Sequence, residues 1–174
     1  VFYTHQHADH IMGVDDLRWL AQGDARIIPI YSSRPMIEEL QNRFRYLFEP
    51  PRPDMYPQIV EPTIWEESDF YQMHRVSDFE FMLLPLDHES VISCGFRIGD
   101  FAYTTDVARM EDRNLQALKG VKNWVVDCGA YKNPQNIAHA CLQDIYKWNE
   151  TVQAGQVYFT AMPPSMDYQT VLKE

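Results

Sequence analysis

Three histidines and an aspartate fall within the six residues His5-Gln6-His7-Ala8-Asp9-His10. Imidazole and carboxylate groups cost free energy when buried without partners, so such a cluster is rarely a packing solution. The same groups are ligands for divalent transition-metal ions. Alternate residues of an extended segment point the same way, so His5 and His7 converge on one ion. Asp9 and His10, at the bend that follows, face a neighbouring ion. The competing reading is a polar loop with fortuitous histidines. Further along, His88 in Leu86-Asp87-His88-Glu89-Ser90 and Asp106 after Thr104-Thr105 fall at the ends of expected strands. Strand ends next to loops are where α/β folds place ligands. Three histidines with a carboxylate suit Zn2+, and also Mn2+ or Fe2+, because these donors do not choose strictly among them. Two adjacent ions would share Asp106 and a hydroxide. His74 reads as a surface histidine.

The elements that must position these residues alternate between strand and helix. Val1-Phe2-Tyr3 reads as the end of a buried strand, and Asp9, His10 and Gly13 as the turn into a helix reaching Gln22, with Gly23-Asp24 as its stop. Arg26 to Tyr31 predicts a short parallel strand whose Pro29 lies near an edge. Ser32 and Ser33 offer an N-cap and Pro35 suits the first turn of a helix over residues 36–44. Residues 46–62 hold five prolines with Phe48 and Tyr56 between them, and predict a long ordered lid. Alternation at Phe79, Phe81 and Leu83 predicts a half-buried strand, with His88 just past its end. Residues 91–98 and 100–104 predict a hairpin turning at Gly99-Asp100, whose second strand delivers Asp106. A short polar helix over 111–119, a buried strand over 123–127, a helix from His139 to Asn149 and a last strand over 156–160 follow. In the later helix Leu142, Ile145, Tyr146 and Trp148 are the candidate apolar positions.

With 174 residues, 45% of them hydrophobic, the chain can bury the core of one domain, here taken as 1–174. A net charge of −10 argues against a sequence-independent grip on nucleic acid, which relies on cationic side chains. It leaves a small phosphate ester open as the partner, since a bound cation is the largest local charge in such a site. Cys94, Cys128 and Cys141 are odd in number and lack CxxC spacing, so free thiols in a reducing cytoplasm fit better than a disulfide framework. No apolar run reaches membrane-spanning length, so no membrane partner is expected. A homodimer is compatible with the composition. The chain opens without an initiator Met inside an apparent strand, and so reads as a fragment.

The motifs HQHADH, LDHES and the aspartate of YTTDV resemble the metal-binding motifs of the metallo-β-lactamase-fold hydrolases. THQHADHIMGVDDLR, the stretch Arg43 to Tyr46 ahead of the Pro-rich loop, and DHESVISCGFRIGDFAYTTDV are similar to the branch containing the PhnP-type cyclic phosphodiesterase. The resemblance covers nearly the whole chain. It implies an α/β (α+β) fold, the αββα sandwich of two mixed sheets with helices outside, here truncated and lacking its N-terminal strands. By motif it implies one ion on His5, His7 and His88, and a second on Asp9 and His10, with Asp106 bridging. Asp9 and His139 are the catalytic candidates, His139 also contacting substrate. Asp127 matches a strand-end aspartate of the branch, in a supporting or structural role.

Two departures from that branch bear on the chemistry. Where the branch ends its last strand in Thr-His, this chain has Thr160-Ala161, so the second ion loses a protein ligand. Where the branch carries an HxH pair, this chain reads Ile137-Ala138-His139 and keeps only the second histidine. In a complete site, hydroxide on the metal is a nucleophile at neutral pH, and His139 is the general acid for the leaving alkoxide. The implied reaction is hydrolysis of a small or cyclic phosphodiester with Zn2+ or Mn2+, one or two ions. Two alternatives stand beside it: a degenerate member that binds one ion with little catalysis, and a hydrolase of a thioester, a lactam or an RNA end.

Overall fold

The apolar runs collapse into two compact units, Val1–Asp69 and Phe70–Glu174. The computed structural model describes residues 1–24, 26–133 and 135–173.

In the first unit the expected opening strand is reduced to one parallel bridge, Phe2 to Tyr31. Of residues 1–4 only Tyr3 is buried. Phe2 stacks instead on Tyr31 and Trp65, at ring-centroid distances of 5.0 and 5.8 Å. The helical stretch that follows comes in pieces: α1 (Ala8–Ile11), a 3-10 turn (Met12–Asp16) and α2 (Leu17–Asp24). One apolar stripe still runs through them, because Ile11, Val14, Leu17 and Ala21 are all buried at helical spacing. The helix continues through Gly23 and Asp24 where a turn was expected. A glycine inside a helix costs only about 1 kcal/mol, so it need not end one.

Strand β1 (Ile28–Ser33) pairs in parallel with β2 (Val60–Trp65), from Ile28 opposite Val60 to Ser33 opposite Trp65. This sheet is therefore purely parallel among the described residues, not mixed. Helix α3 (Arg34–Phe48) makes the crossover, with Ser33 at its N-cap position and Pro35 in its first turn. Phe44 leaves helical geometry, at φ −126° and ψ 35°, yet the helix resumes for another turn. Burial of Leu47 and Phe48 draws it back, as tertiary packing supplies most helical stability. Tyr46 and Phe48 thus belong to α3, the irregular segment shrinks to residues 49–59, and Pro62 lies within β2. A two-stranded sheet consists of edges, where proline is tolerated. Ile30 and Val60 pack with Met36, Ile37 and Leu40 of α3 and with Ile11 and Val14.

The second unit is built on one six-stranded sheet in sequence order: β3 (Met73–Val76), β4 (Phe79–His88), β5 (Val91–Ile98), β6 (Phe101–Thr104), β7 (Asn123–Asp127) and β8 (Gln156–Thr160). The first four pair antiparallel, and β6, β7 and β8 are parallel. Gly99, at φ 55°, makes the β5–β6 hairpin turn where the sequence places it. The crossovers are α4 (Asp112–Leu118) and α5 (Leu142–Val152). Helix α5 starts three residues later than expected, because the Asp144 carboxylate accepts the Cys141 N–H at 3.1 Å and fixes the first turn there. His139 therefore sits in the preceding loop. Leu142, Ile145, Trp148 and Val152 form the buried stripe of α5, and Tyr146, one residue off that stripe, is exposed. Phe79, the first residue of β4, is exposed as well, while Phe81 and Leu83 are buried as their alternation requires. The core joins Leu84, Leu86, Ala102, Trp124 and Val126 of the sheet to Leu115 and Leu118 of α4 and the stripe of α5.

This topology makes an edge. Strand β4 is antiparallel to β5, and β5 to β6, so β4 runs in the same direction as β6, β7 and β8. The C-terminal ends of these four strands therefore lie along one side of the sheet, carrying His88, Asp106, Asp127 and Ala161 in turn. Among the described residues no helix is long and apolar enough to cross a membrane.

Candidate functional site

Each unit presents its own set of metal-type ligands. In the first, the rings of His5 and His7 lie 4.6 Å apart and those of His5 and His10 4.3 Å apart. Thr4 Oγ1 and His5 Nδ1 are 3.1 Å apart, so the hydroxyl helps to orient a ring that is 1% exposed. Asp9 projects from the first turn of α1 with its side chain 79% exposed, its carboxylate 3.3 Å from His10 Nε2. The extended run and the bend after it thus bring the three imidazoles together.

In the second unit His88 is the last residue of β4 rather than just past its end, and a two-residue turn with Glu89 at φ 56° follows it. Its Nδ1 is 2.5 Å from the Ala138 carbonyl oxygen. A carbonyl only accepts, so Nδ1 carries a proton. Nε2 of the same ring is 3.5 Å from Asp106 Oδ2. Both residues are almost fully buried. Asp106 stands just past β6 at φ 49°, in the left-handed region that costs a non-glycine residue about 1 kcal/mol or more. The Thr105 hydroxyl donates to its Oδ1 at 3.0 Å. The loop after Asp106 is tied down by Ala108 N–H donating to the Asp87 carbonyl and by Arg109 Nε donating to the Asp87 carboxylate, at 2.7 and 2.8 Å.

Asp127, at the end of β7, has no exposed surface. Its carboxylate accepts the N–H groups of Val107 and Gly129, each at 2.9 Å, and His139 Nδ1 at 2.8 Å. The His139 ring is itself 5.2 Å from that of His88. Ligand atoms of Asp106, Asp127 and His139 lie within 4.8 Å of one another. With three donors already on it, Asp127 is an orienting group for His139.

Two supporting groups have only faint signals in the sequence. Gly129 leaves no room for a Cβ, which would stand 2.5 Å from His139 Cγ. Asn136 accepts the N–H groups of Ala138 and His139 on its Oδ1, and the Ala138 carbonyl turns out to hold His88. At the end of β8, Ala161 adopts φ 56° and has no side chain that can ligate. His74 lies on β3 with its ring 5.7 Å from Phe81, half-buried against the sheet.

The donor set fits a divalent ion. In the second unit His88 Nε2 and an Asp106 oxygen meet at nearly buried positions, and a backbone carbonyl and a carboxylate hold the Nδ1 atoms of His88 and His139, as such acceptors do for ligating histidines. The thiols take no part. Burial pushes the Cys128 thiol up to about 12, with the nearby Asp127 charge and Cys141 adding to it. Cys94 is raised by burial too.

Comparison with known proteins agrees with this fold. A family model described as a beta-lactamase superfamily domain matches residues 1–162. A solved structure described as a new diphosphatase from the PhnP family superposes with a TM-score of 0.84 at 24% identity, covering 99% of this chain and 63% of that one. A metallo-beta-lactamase fold protein from Bacillus subtilis superposes at 0.79 with 20% identity, covering 100% of this chain and 68% of that one. Over 122 residues, 70% of this chain, the sequence is 26% identical to an octanoyltransferase of Porphyromonas gingivalis. The chain spans 24% of that curated relative's length and 63% of the diphosphatase's.

Proposed function

Since the chain belongs to the beta-lactamase superfamily, we propose that it is a metal-dependent hydrolase of small or cyclic phosphodiesters. The observation that carries the reading is the edge formed by His88, Asp106, Asp127 and His139, with both histidines held by their Nδ1 atoms. The likeness to a protein described as a diphosphatase supports a phosphate-containing substrate. By their motifs, His5, His7, His88, Asp9, His10 and Asp106 would hold one or two ions of Zn2+ or Mn2+.

An ion held there lowers the pKa of a bound water towards neutrality and offsets charge that develops on phosphoryl oxygens. The chain's own groups do the rest. His88 presents Nε2 in one tautomer because the Ala138 carbonyl takes its Nδ1 proton. Asp106 brings a negative charge that is held in place by Thr105. His139, with Nδ1 fixed on Asp127, offers Nε2 as the proton donor to the departing oxygen, a role worth about 10² to 10⁴ in rate. Asp9, the other catalytic candidate, stands with its side chain 79% exposed to solvent.

The test is hydrolysis of bis(4-nitrophenyl) phosphate by the purified protein with Mn2+ or Zn2+, before and after EDTA. Metal-dependent release of nitrophenolate is expected. No turnover of any phosphodiester or diphosphate by a metal-loaded protein would overturn the reading. A second reading is favoured by one observation, Ala161 at the end of β8: a protein that keeps one ion and little catalysis.

A further inference from the structure

We propose that Asn136 is a positioning residue for the metal centre, fixing through one turn both the tautomer of His88 and the place of His139. The inference rests on the reading that His88 ligates metal. Asn136 Oδ1 accepts two consecutive backbone donors, Ala138 N–H at 2.8 Å and His139 N–H at 2.9 Å. Two bonds to one side-chain oxygen lock the peptide planes on either side of Ala138. The Ala138 carbonyl belongs to one of those planes, and it holds His88 Nδ1 at 2.5 Å across 50 positions of sequence. The next residue, His139, swings with the same turn onto Asp127.

The consequence is chemical. With its Nδ1–H bound to a fixed carbonyl, His88 has its Nε2 turned towards Asp106, 3.5 Å from Oδ2. If the carbonyl turns away, the ring can take the tautomer with the proton on Nε2, and that form cannot ligate through Nε2. Asn136 touches neither the ligand atoms nor a reacting group, so its effect passes through Ala138. The turn is braced from the other side, where Ala140 N–H donates to the Val107 carbonyl at 2.7 Å. Loss of the Asn136 cap therefore frees residues 137–139 without releasing Ala140 from Val107.

The experiment titrates metal-free protein with Zn2+ against a chromophoric chelator, for wild type, Asn136→Ala, Asn136→Asp and Asn136→Gln. Asn136→Ala and Asn136→Gln, the second with its oxygen one methylene too far, should each bind Zn2+ about 10- to 100-fold more weakly, the usual effect of losing an outer-sphere partner. Asn136→Asp keeps an acceptor in place and should stay within about threefold of wild type, by the same comparison. The 15N spectrum of the His88 imidazole in metal-free protein should show the Nδ1–H tautomer in wild type and Asn136→Asp, and a mixture in the other two. Unchanged affinity in both Asn136→Ala and Asn136→Gln, or an Asn136→Asp variant as weak as they are, would overturn the inference while leaving the hydrolase reading intact. A wild-type protein that binds no Zn2+ would overturn both.

Discussion

Nδ1 of His139 lies 2.8 Å from Oδ2 of Asp127, a carboxylate with no exposed surface that also accepts two backbone N–H groups. A buried charge is tolerable only when its donors are in place. The same bonds that make Asp127 affordable therefore fix His139, and Gly129 is the gap that lets the ring approach.

Gly129→Ala should expose that dependence. The added Cβ would meet His139 Cγ, Cβ and Nδ1 at 2.5, 2.7 and 2.8 Å, so the ring must leave Asp127. A destabilisation of about 1–3 kcal/mol is expected from overpacking, with phosphodiester kcat falling about 100-fold or more. Denaturant unfolding and steady-state kinetics measure the two. An active, undisturbed variant would show that His139 does not work from this position.

Ala161→His should restore a donor at the end of β8. Ala161 stands at φ 56°, in a region where histidine is among the better-tolerated non-glycine residues. Metal content per chain and hydrolytic rate should both rise if the second ion site is merely weakened. No change in either would favour the one-ion reading.

The three thiols should resist a charged disulfide reagent at pH 8 in the folded protein and react fully in denaturant. All are buried, and burial raises their pKa, that of Cys128 to about 12 from an ordinary 9.0. A thiol whose folded pKa is raised stabilises the fold fully below the unfolded value. That contribution is lost as pH rises from about 9 towards 12, because the unfolded chain sheds its protons first. Rapid labelling of the native protein would contradict the packing around Asp127.

Leu47→Ala should cost about 2–5 kcal/mol, the range for a truncated core leucine. Leu47 is fully buried although it lies beyond the break at Phe44. A change below about 0.5 kcal/mol, usual for exposed loops, would place it in the irregular segment instead.

Much of the site was legible because its chemistry is local. The spacing of His5, His7, Asp9 and His10 carries its own geometry, and Gly99 announces the hairpin that delivers Asp106. Boundaries decided by distant contacts were not legible: Leu47 and Phe48 extend α3 past a break, and Asp144 moves the start of α5 beyond His139. The support of the site was hidden for a similar reason. Asn136 acts on His88 through a backbone carbonyl, and Gly129 matters only because the His139 ring, from the far end of the same β7–α5 connection, lies against it. Neither relationship leaves a periodicity or a motif.

Metal content of the protein, purified without chelators and measured by mass spectrometry of the elements, tests the central claim most directly. The account predicts between one and two Zn or Mn per chain, with the higher figure meaning that a water or another group stands in for the side chain Ala161 lacks. A protein that holds no divalent transition metal, and takes up none when it is offered, would contradict it.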